Sequence, residues 1–208
     1  MPQPPTTVIF DLGGVLIDWN PRYLYRRLFD DQTAMELFLA EICSPDWNLS
    51  LDAGRSFAEA VGELSARHPH ERERIEAYQT RWIEMIAGPI ADTVAILEAL
   101  HARGVPLWAL TNWSSETFRL VRHDPGYAFL DRFRRIFVSA ELRLIKPDPA
   151  IYRHVLAEIG VPAEACLFVD DSPKNVAAAQ ALGLHGHRFT GAAELGTELA
   201  RLGLLDPA

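Results

Sequence analysis

Asp11 closes the short apolar run Val8-Ile9-Phe10 and is followed at once by Leu12-Gly13-Gly14. An acid at the end of a buried strand, backed by two glycines, puts a carboxylate on a tight turn at the rim of a sheet. Such a group either attacks a substrate or holds a metal. Three later segments end on residues that complement it: Thr111-Asn112, Lys146 in Ile145-Lys146-Pro147-Asp148-Pro149, and Asp170-Asp171. In an open α/β sheet, ligands bind at the carboxyl ends of the strands, so parallel strands would bring all four segments to one edge.

Brought together, these residues favour one chemistry. Two or three carboxylates with little basic company are costly unless a cation joins them, and an all-oxygen donor set points to Mg²⁺. A carboxylate can also be the nucleophile of phosphoryl transfer, giving an aspartyl-phosphate. The Lys146 ammonium, the Thr111 hydroxyl and nearby backbone N–H groups can hold the charge on the transferred group. Alone, each segment has a plainer reading. Thr111-Asn112 suits a helix-capping turn, Lys146-Pro147 a generic loop, and Asp170-Asp171-Ser172-Pro173 the entry to a helix. Their joint placement outweighs those readings.

The elements that must position them can be followed along the chain. From residue 90 onward, strand-like and helix-like stretches alternate. A helix over 90–103 stops at Gly104, and Pro106 to Leu110 forms a strand. A helix follows from Ser114 or Ser115 to Arg122, then a strand over Ile136-Phe137-Val138. A helix from Asp148 or Pro149 stops at Gly160, the strand Cys166 to Val169 follows, and a helix begins at Pro173. His187 to Thr190 is a weak last strand before a terminal helix over 192–202. Short, continuous, apolar strands separated by helices predict an α/β fold with a doubly wound parallel sheet.

Residues 18–88 differ, with no strand-like run and helical patterns over 23–29, 34–42, 57–67 and 71–86. This block reads as a helical cap inserted after the first strand, with Gly88-Pro89 as the return hinge. The expected division is therefore an α/β core of residues 1–17 and 89–208 and a helical cap of residues 18–88.

Composition narrows the classes. The 208 residues are 49% hydrophobic and 23% charged, ordinary for a globular chain, with a formal net charge of −8. The absence of any Lys/Arg run argues against nucleic acid. An acidic surface repels anions at long range, so phosphate chemistry needs a local cation, which Lys146 supplies. No apolar stretch nears the roughly 18 residues that would cross a membrane. Met1-Pro2-Gln3-Pro4-Pro5 lacks the character of a signal peptide. Two isolated cysteines, Cys43 and Cys166, fit a reducing cytoplasm. The pairs His68/His70 and His185/His187 read as polar positions rather than zinc ligands.

The four segments, in this order, resemble the motifs of the haloacid dehalogenase superfamily: Phe10-Asp11-Leu12-Gly13-Gly14-Val15-Leu16, Leu110-Thr111-Asn112, Lys146-Pro147 and Phe168-Val169-Asp170-Asp171-Ser172. The chain is similar to sugar-phosphate phosphatases with a helical cap and to the phosphatase domain of soluble epoxide hydrolases. The resemblance implies Asp11 as nucleophile and magnesium ligand and the Gly13 carbonyl as a second ligand. It implies that Asp171, with Asp170, completes the metal site. Gly14, Thr111 and Asn112 would bind the phosphoryl group, and Lys146 would neutralise it and orient Asp11. Asn175 would brace Asp171. The expected activity is Mg²⁺-dependent hydrolysis of a small phosphorylated metabolite, a sugar phosphate first.

One departure matters. Most phosphatases of that family carry an aspartate two residues after the nucleophile, which protonates the leaving oxygen; here the position is Gly13. Three readings follow: a substrate with a good leaving group, another acid such as Asp18 or a cap residue, or a phospho-ligand-binding protein with weak turnover. Metal-free 2-haloacid dehalogenation is a further alternative, against which the Asp170-Asp171 pair argues. Trp19, Asn20, Arg22, Trp47 and Arg55 are the cap side chains with the chemistry to meet a substrate.

Overall fold

The computed structural model describes residues 4–206, so the reading of Met1-Pro2-Gln3 lies outside it. Five parallel strands form the main sheet: β1 (Thr7–Phe10), β4 (Leu107–Thr111), β5 (Ile136–Val138), β6 (Cys166–Asp170) and β7 (His185–Arg188), in the order β5-β4-β1-β6-β7. The missing numbers belong to a separate antiparallel ribbon of β2 (Ile17–Trp19) and β3 (Ile86–Pro89). β1 is central, flanked by β4 and β6. The order reverses on either side of it, so β1 sits where a doubly wound sheet opens a crevice at its carboxyl edge.

Alternation along the strands sends side chains to two apolar layers. Val8 and Phe10 of β1 join Leu107, Ala109, Leu167 and Val169 on one face, under helices Ala91–Ala102, Ser115–Arg122 and Ala192–Arg201. Ile9, Leu110, Cys166 and Phe168 face the other way, against Ile151, Tyr152, Val155 and Ala179 of helices Pro149–Ile159 and Pro173–Gln180. Both cysteines are free and buried. Among the described residues, no helix is long and apolar enough to cross a membrane.

Between the two ribbon strands the chain makes helices Arg22–Tyr25, Gln32–Glu41, Pro45–Asp52, Phe57–Arg67 and Arg72–Thr80. Their inner faces, carrying Tyr25, Phe38, Trp47, Phe57 and Tyr78, join the first apolar layer of the sheet rather than forming a separate one. The expectation of no strand between 18 and 88 is corrected by the ribbon. Its strands are three and four residues long and pair Ile17 with Pro89 and Asp18 with Gly88, too short for a period-two pattern to register. The helix read over 71–86 ends at Thr80. Arg81 leaves helical geometry, a 3₁₀ turn covers Trp82–Met85, and the chain then extends into β3. The helix read over 23–29 is a single turn, and the last strand lies two residues earlier than the sequence suggested.

Candidate active site

The turn after β1 sets the site. Leu12 O accepts hydrogen bonds from both Leu16 N and Ile17 N at 2.9 Å, and Gly14 N donates to Ile17 O at 2.9 Å, which folds the two glycines tightly against the ribbon. Gly14 has φ +74°, and a Cβ there would lie 2.7 Å from Asp171 Oδ2. A side chain at Gly14 would thus be strained and would displace that carboxylate. Gly13 has open space where its Cβ would be.

Asp11 is held from two sides. Its Oδ1 accepts from Leu12 N at 2.7 Å, and its Oδ2 lies 2.9 Å from Lys146 Nζ. Lys146 is almost completely buried, and its ammonium meets three oxygens: Asp11 Oδ2, Asp170 Oδ2 at 2.7 Å and Leu110 O at 2.9 Å. Burial alone would lower the Lys146 pKa, but the two carboxylates outweigh it and hold the group above its ordinary value. Burial pushes Asp11 up to about 7, with Lys146 opposing and Asp170 adding to the rise. A buried cation between two carboxylates is stable only with such complete pairing.

The acidic pair divides its work. Asp170 is fully buried; besides Lys146, it accepts from Ser172 N at 2.8 Å and from Asn175 Nδ2 at 3.0 and 3.1 Å. Asn175 therefore braces Asp170, not Asp171 as the sequence suggested, because the helix starting at Pro173 turns its third residue back toward the strand end. Asp171 is exposed to the cavity, and partial burial with the neighbouring Asp170 charge raises its pKa. Asp11, Asp170 and Asp171 each offer an oxygen within 4.8 Å of the others. Three acids against one ammonium leave a local excess of negative charge at an all-oxygen cluster, which fits a hard divalent cation.

Asn112 braces the loop that carries Lys146. Its Oδ1 accepts from Lys146 N and its Nδ2 donates to Lys146 O, both at 2.9 Å. The side-chain amide clamps the loop that delivers Lys146, and the residue also lines the cavity. Thr111, at the end of β4, lines the cavity.

The cavity above these groups has a volume of about 330 Å³. Asp11, Gly13, Gly14, Thr111, Asn112 and Asp171 line it from the sheet edge. Trp19, Asn48, Asp52, Phe57 and Trp82 line it from the ribbon and the helical insertion. Of the five insertion side chains singled out from sequence, only Trp19 reaches it. Arg22 pairs with Glu36 at 2.5 Å, and Arg55 pairs with Glu63. Asn20 accepts from Arg22 N, and Trp47 packs edge-on against Tyr78. Asp18 is not among the lining residues; it accepts from Tyr23 OH at 2.8 Å.

Sequence reasoning missed Asn48, Asp52, Phe57 and Trp82. A usable signal was present. Ser44-Pro45 is a helix start, and the Ser44 hydroxyl caps Trp47 N at 3.2 Å. Asn48 and Asp52 then stand four apart, on one face of that helix.

Comparison with known proteins agrees with this geometry. A model of haloacid dehalogenase-like hydrolases matches residues 5–183. The chain is 31% identical over 194 residues to a sesquiterpene phosphatase, AstK, of Aspergillus oryzae, covering 93% of this chain and 94% of that one. It is 32% identical over 190 residues to a phosphoglycolate phosphatase of Rhodospirillum rubrum, covering 86% and 77%. A solved HAD-like family hydrolase from Porphyromonas gingivalis superposes with a TM-score of 0.72 at 26% identity, covering 94% of this chain and 97% of that one. With a family match across most of its length and a sheet edge built from that family's four motifs, the chain belongs to the haloacid dehalogenase-like hydrolases.

Proposed function

We propose that this hydrolase is a Mg²⁺-dependent phosphatase of small phosphorylated metabolites, sugar phosphates first among them, acting through an aspartyl-phosphate on Asp11. The observation that carries the reading is the cluster of Asp11, Asp170 and Asp171 around a buried Lys146 at the floor of a cavity. Asp11, the Gly13 carbonyl and Asp171 would hold the cation; Asp170, already committed to Lys146 and Asn175, serves better as their support. The bound cation would neutralise phosphoryl oxygens and the nucleophile together.

The chain's own residues do the rest. One Asp11 oxygen forms a bond to phosphorus as the bond to the leaving oxygen breaks, the electron pair departing with that oxygen. Leu12 N and Lys146 fix the carboxylate so that little reorganisation is needed. Thr111, which lines the cavity, faces the charge on the transferred group, while Lys146 acts on it from behind through Asp11. Water then attacks phosphorus and returns the electron pair to Asp11. The aromatic walls, Trp19, Phe57, Trp82 and Trp113, and the cavity's volume of about 330 Å³ favour a compact leaving group. Two buried thiols are compatible with a reducing, cytoplasmic setting.

Phosphate release from a panel of sugar and other small phosphomonoesters, with Mg²⁺ and with chelator, tests the proposal. Turnover that chelator abolishes and Asp11→Asn removes is the expected result. Chloride release from a 2-haloacid, unaffected by chelator and without phosphate release, would overturn it.

A further inference from the structure

The cavity holds a carboxyl that the phosphatase reading leaves without work. Its lining, among the described residues, contains three acids: Asp11, Asp171 and Asp52. Asp11 is the nucleophile of the proposed reaction, and Asp171 stands beside it in the acidic cluster. The other lining side chains are aromatic, amide or hydroxyl groups, none of which exchanges a proton readily at neutral pH. Resting on the reading above, we propose that the Asp52 carboxyl supplies the proton to the leaving oxygen, in the role left vacant at Gly13.

Asp52 is built to stay in place although it comes from the helical insertion. Its main-chain O accepts from Ser139 Oγ at 2.6 Å, and Ser139 Oγ in turn accepts from Trp113 N at 2.9 Å, both residues of the α/β core. Two residues on, Gly54 has φ +98°, and a Cβ there would stand 2.9 Å from Ala140 O, so the chain after Asp52 lies directly on the core. The carboxyl itself is oriented. Oδ2 accepts from Asn48 Nδ2 at 3.0 Å, and the carboxyl also accepts from the Ser114 backbone N–H. Tyr78 OH donates to Asn48 Oδ1 at 2.8 Å, which fixes the amide with its nitrogen toward Asp52.

The surroundings favour the protonated form. Asp52 is 9% exposed and, among the described residues, has no salt-bridge partner. Charged and titratable groups facing it are few: Lys146 from the core loop and Tyr78 from helix Arg72–Thr80. Burial raises its pKa to about 7; the Ser114 N–H, Lys146 and Asn48 oppose the rise without cancelling it. That value suits an acid that must give a proton and recover it near neutrality.

The proton balance closes over the two steps. As Asp11 bonds to phosphorus, the leaving oxygen takes the Asp52 proton and departs as an alcohol, leaving Asp52 ionised. The attacking water then gives one proton to Asp52 and keeps the other on the phosphate released.

The test compares wild type with Asp52→Asn on p-nitrophenyl phosphate, whose leaving group needs no proton, and on an alkyl phosphomonoester that wild type hydrolyses. Asp52→Asn should lower kcat/KM on the alkyl ester by about 10²–10⁴-fold, and on the aryl ester by about tenfold or less. Adding Gly13→Asp, at a position with room for a side chain, should recover at least tenfold of the alkyl activity. Equal losses on both esters, or no loss on either, would overturn the role of Asp52 while leaving the phosphatase reading standing. Failure of wild type to hydrolyse either ester would overturn both. Near-UV circular dichroism checks folding. Should Asp52→Asn not fold, Asp52→Ser is subject to the same two outcomes.

Discussion

Replacing Asp52 by asparagine should make stability respond differently to pH. The carboxyl is buried, and its pKa stands at about 7 against an ordinary 3.8. Between those values the folded protein keeps a proton that the unfolded chain has lost. Stability contributed by a group raised in this way is fully present below pH 3.8 and falls as pH climbs to about 7, by about 1.4 kcal/mol per pH unit. From pH 5 to pH 7 the wild type therefore loses about 2 kcal/mol from this group, the slope easing as pH nears the folded pKa. An amide does not titrate. It can accept from only one of the two donors, Asn48 Nδ2 or Ser114 N, and sets its own NH₂ against the other, a pH-independent cost of about 1–3 kcal/mol. Asp52→Asn should thus be the less stable protein at pH 5 and should gain on wild type by about 2 kcal/mol by pH 7. Urea unfolding of both proteins from pH 5 to pH 8, without divalent cations, measures the difference. Asp11 titrates in both and drops out of the comparison. A stability difference that stays constant over this range would refute a protonated Asp52 at pH 5 and the reasoning built on it.

Other perturbations follow from the same geometry. Lys146→Met would leave Asp11 and Asp170 buried without their cation; it should cost about 3–5 kcal/mol at pH 7 and less at pH 5, where the carboxyls can protonate, as thermal melts at the two pH values would reveal. Gly14→Ala should destabilise by about 1–2 kcal/mol from the left-handed backbone alone and weaken Mg²⁺ binding by pushing on Asp171. Gly13→Ala should change stability by under about 1 kcal/mol, since its Cβ meets nothing; calorimetry on the pair checks the contrast. Mg²⁺ should raise the melting temperature of wild type in proportion to the logarithm of its concentration above Kd, and Asp171→Asn should abolish most of that shift. An equal shift in both proteins would place the cation elsewhere.

The strand ends were legible because their signals are local and redundant. Asp11, Thr111 and Asp170 each follow a continuous apolar run, and helix stops such as Gly104 and Gly160 bound the intervening segments. Parallel pairing then brings these ends together without further information. The roles of single polar side chains were less legible. Asn112 and Asn175 both sit where a ligand contact would be read, yet each completes the pairing of a buried charged residue, Lys146 through its backbone and Asp170 through its carboxylate. Those partners lie 34 and 5 residues away. The insertion was the hardest part. Arg22 and Arg55 looked suited to a substrate but pair with glutamates elsewhere in the insertion, while the spacing of Asn48 and Asp52 on one helix face was a weak signal whose meaning depends on contacts with Ser114 and Ser139 far along the chain. The short ribbon was invisible because its pairing depends on the whole helical excursion returning to Ile17.

The most direct test of the phosphatase mechanism is a crystal structure grown with Mg²⁺ and beryllofluoride, a phosphoryl mimic that bonds to carboxylate oxygen. The account predicts beryllium bonded to an Asp11 oxygen, with the cation shared by Asp11, the Gly13 carbonyl and Asp171. Beryllofluoride absent from Asp11, or a cation bound without Asp171, would contradict it.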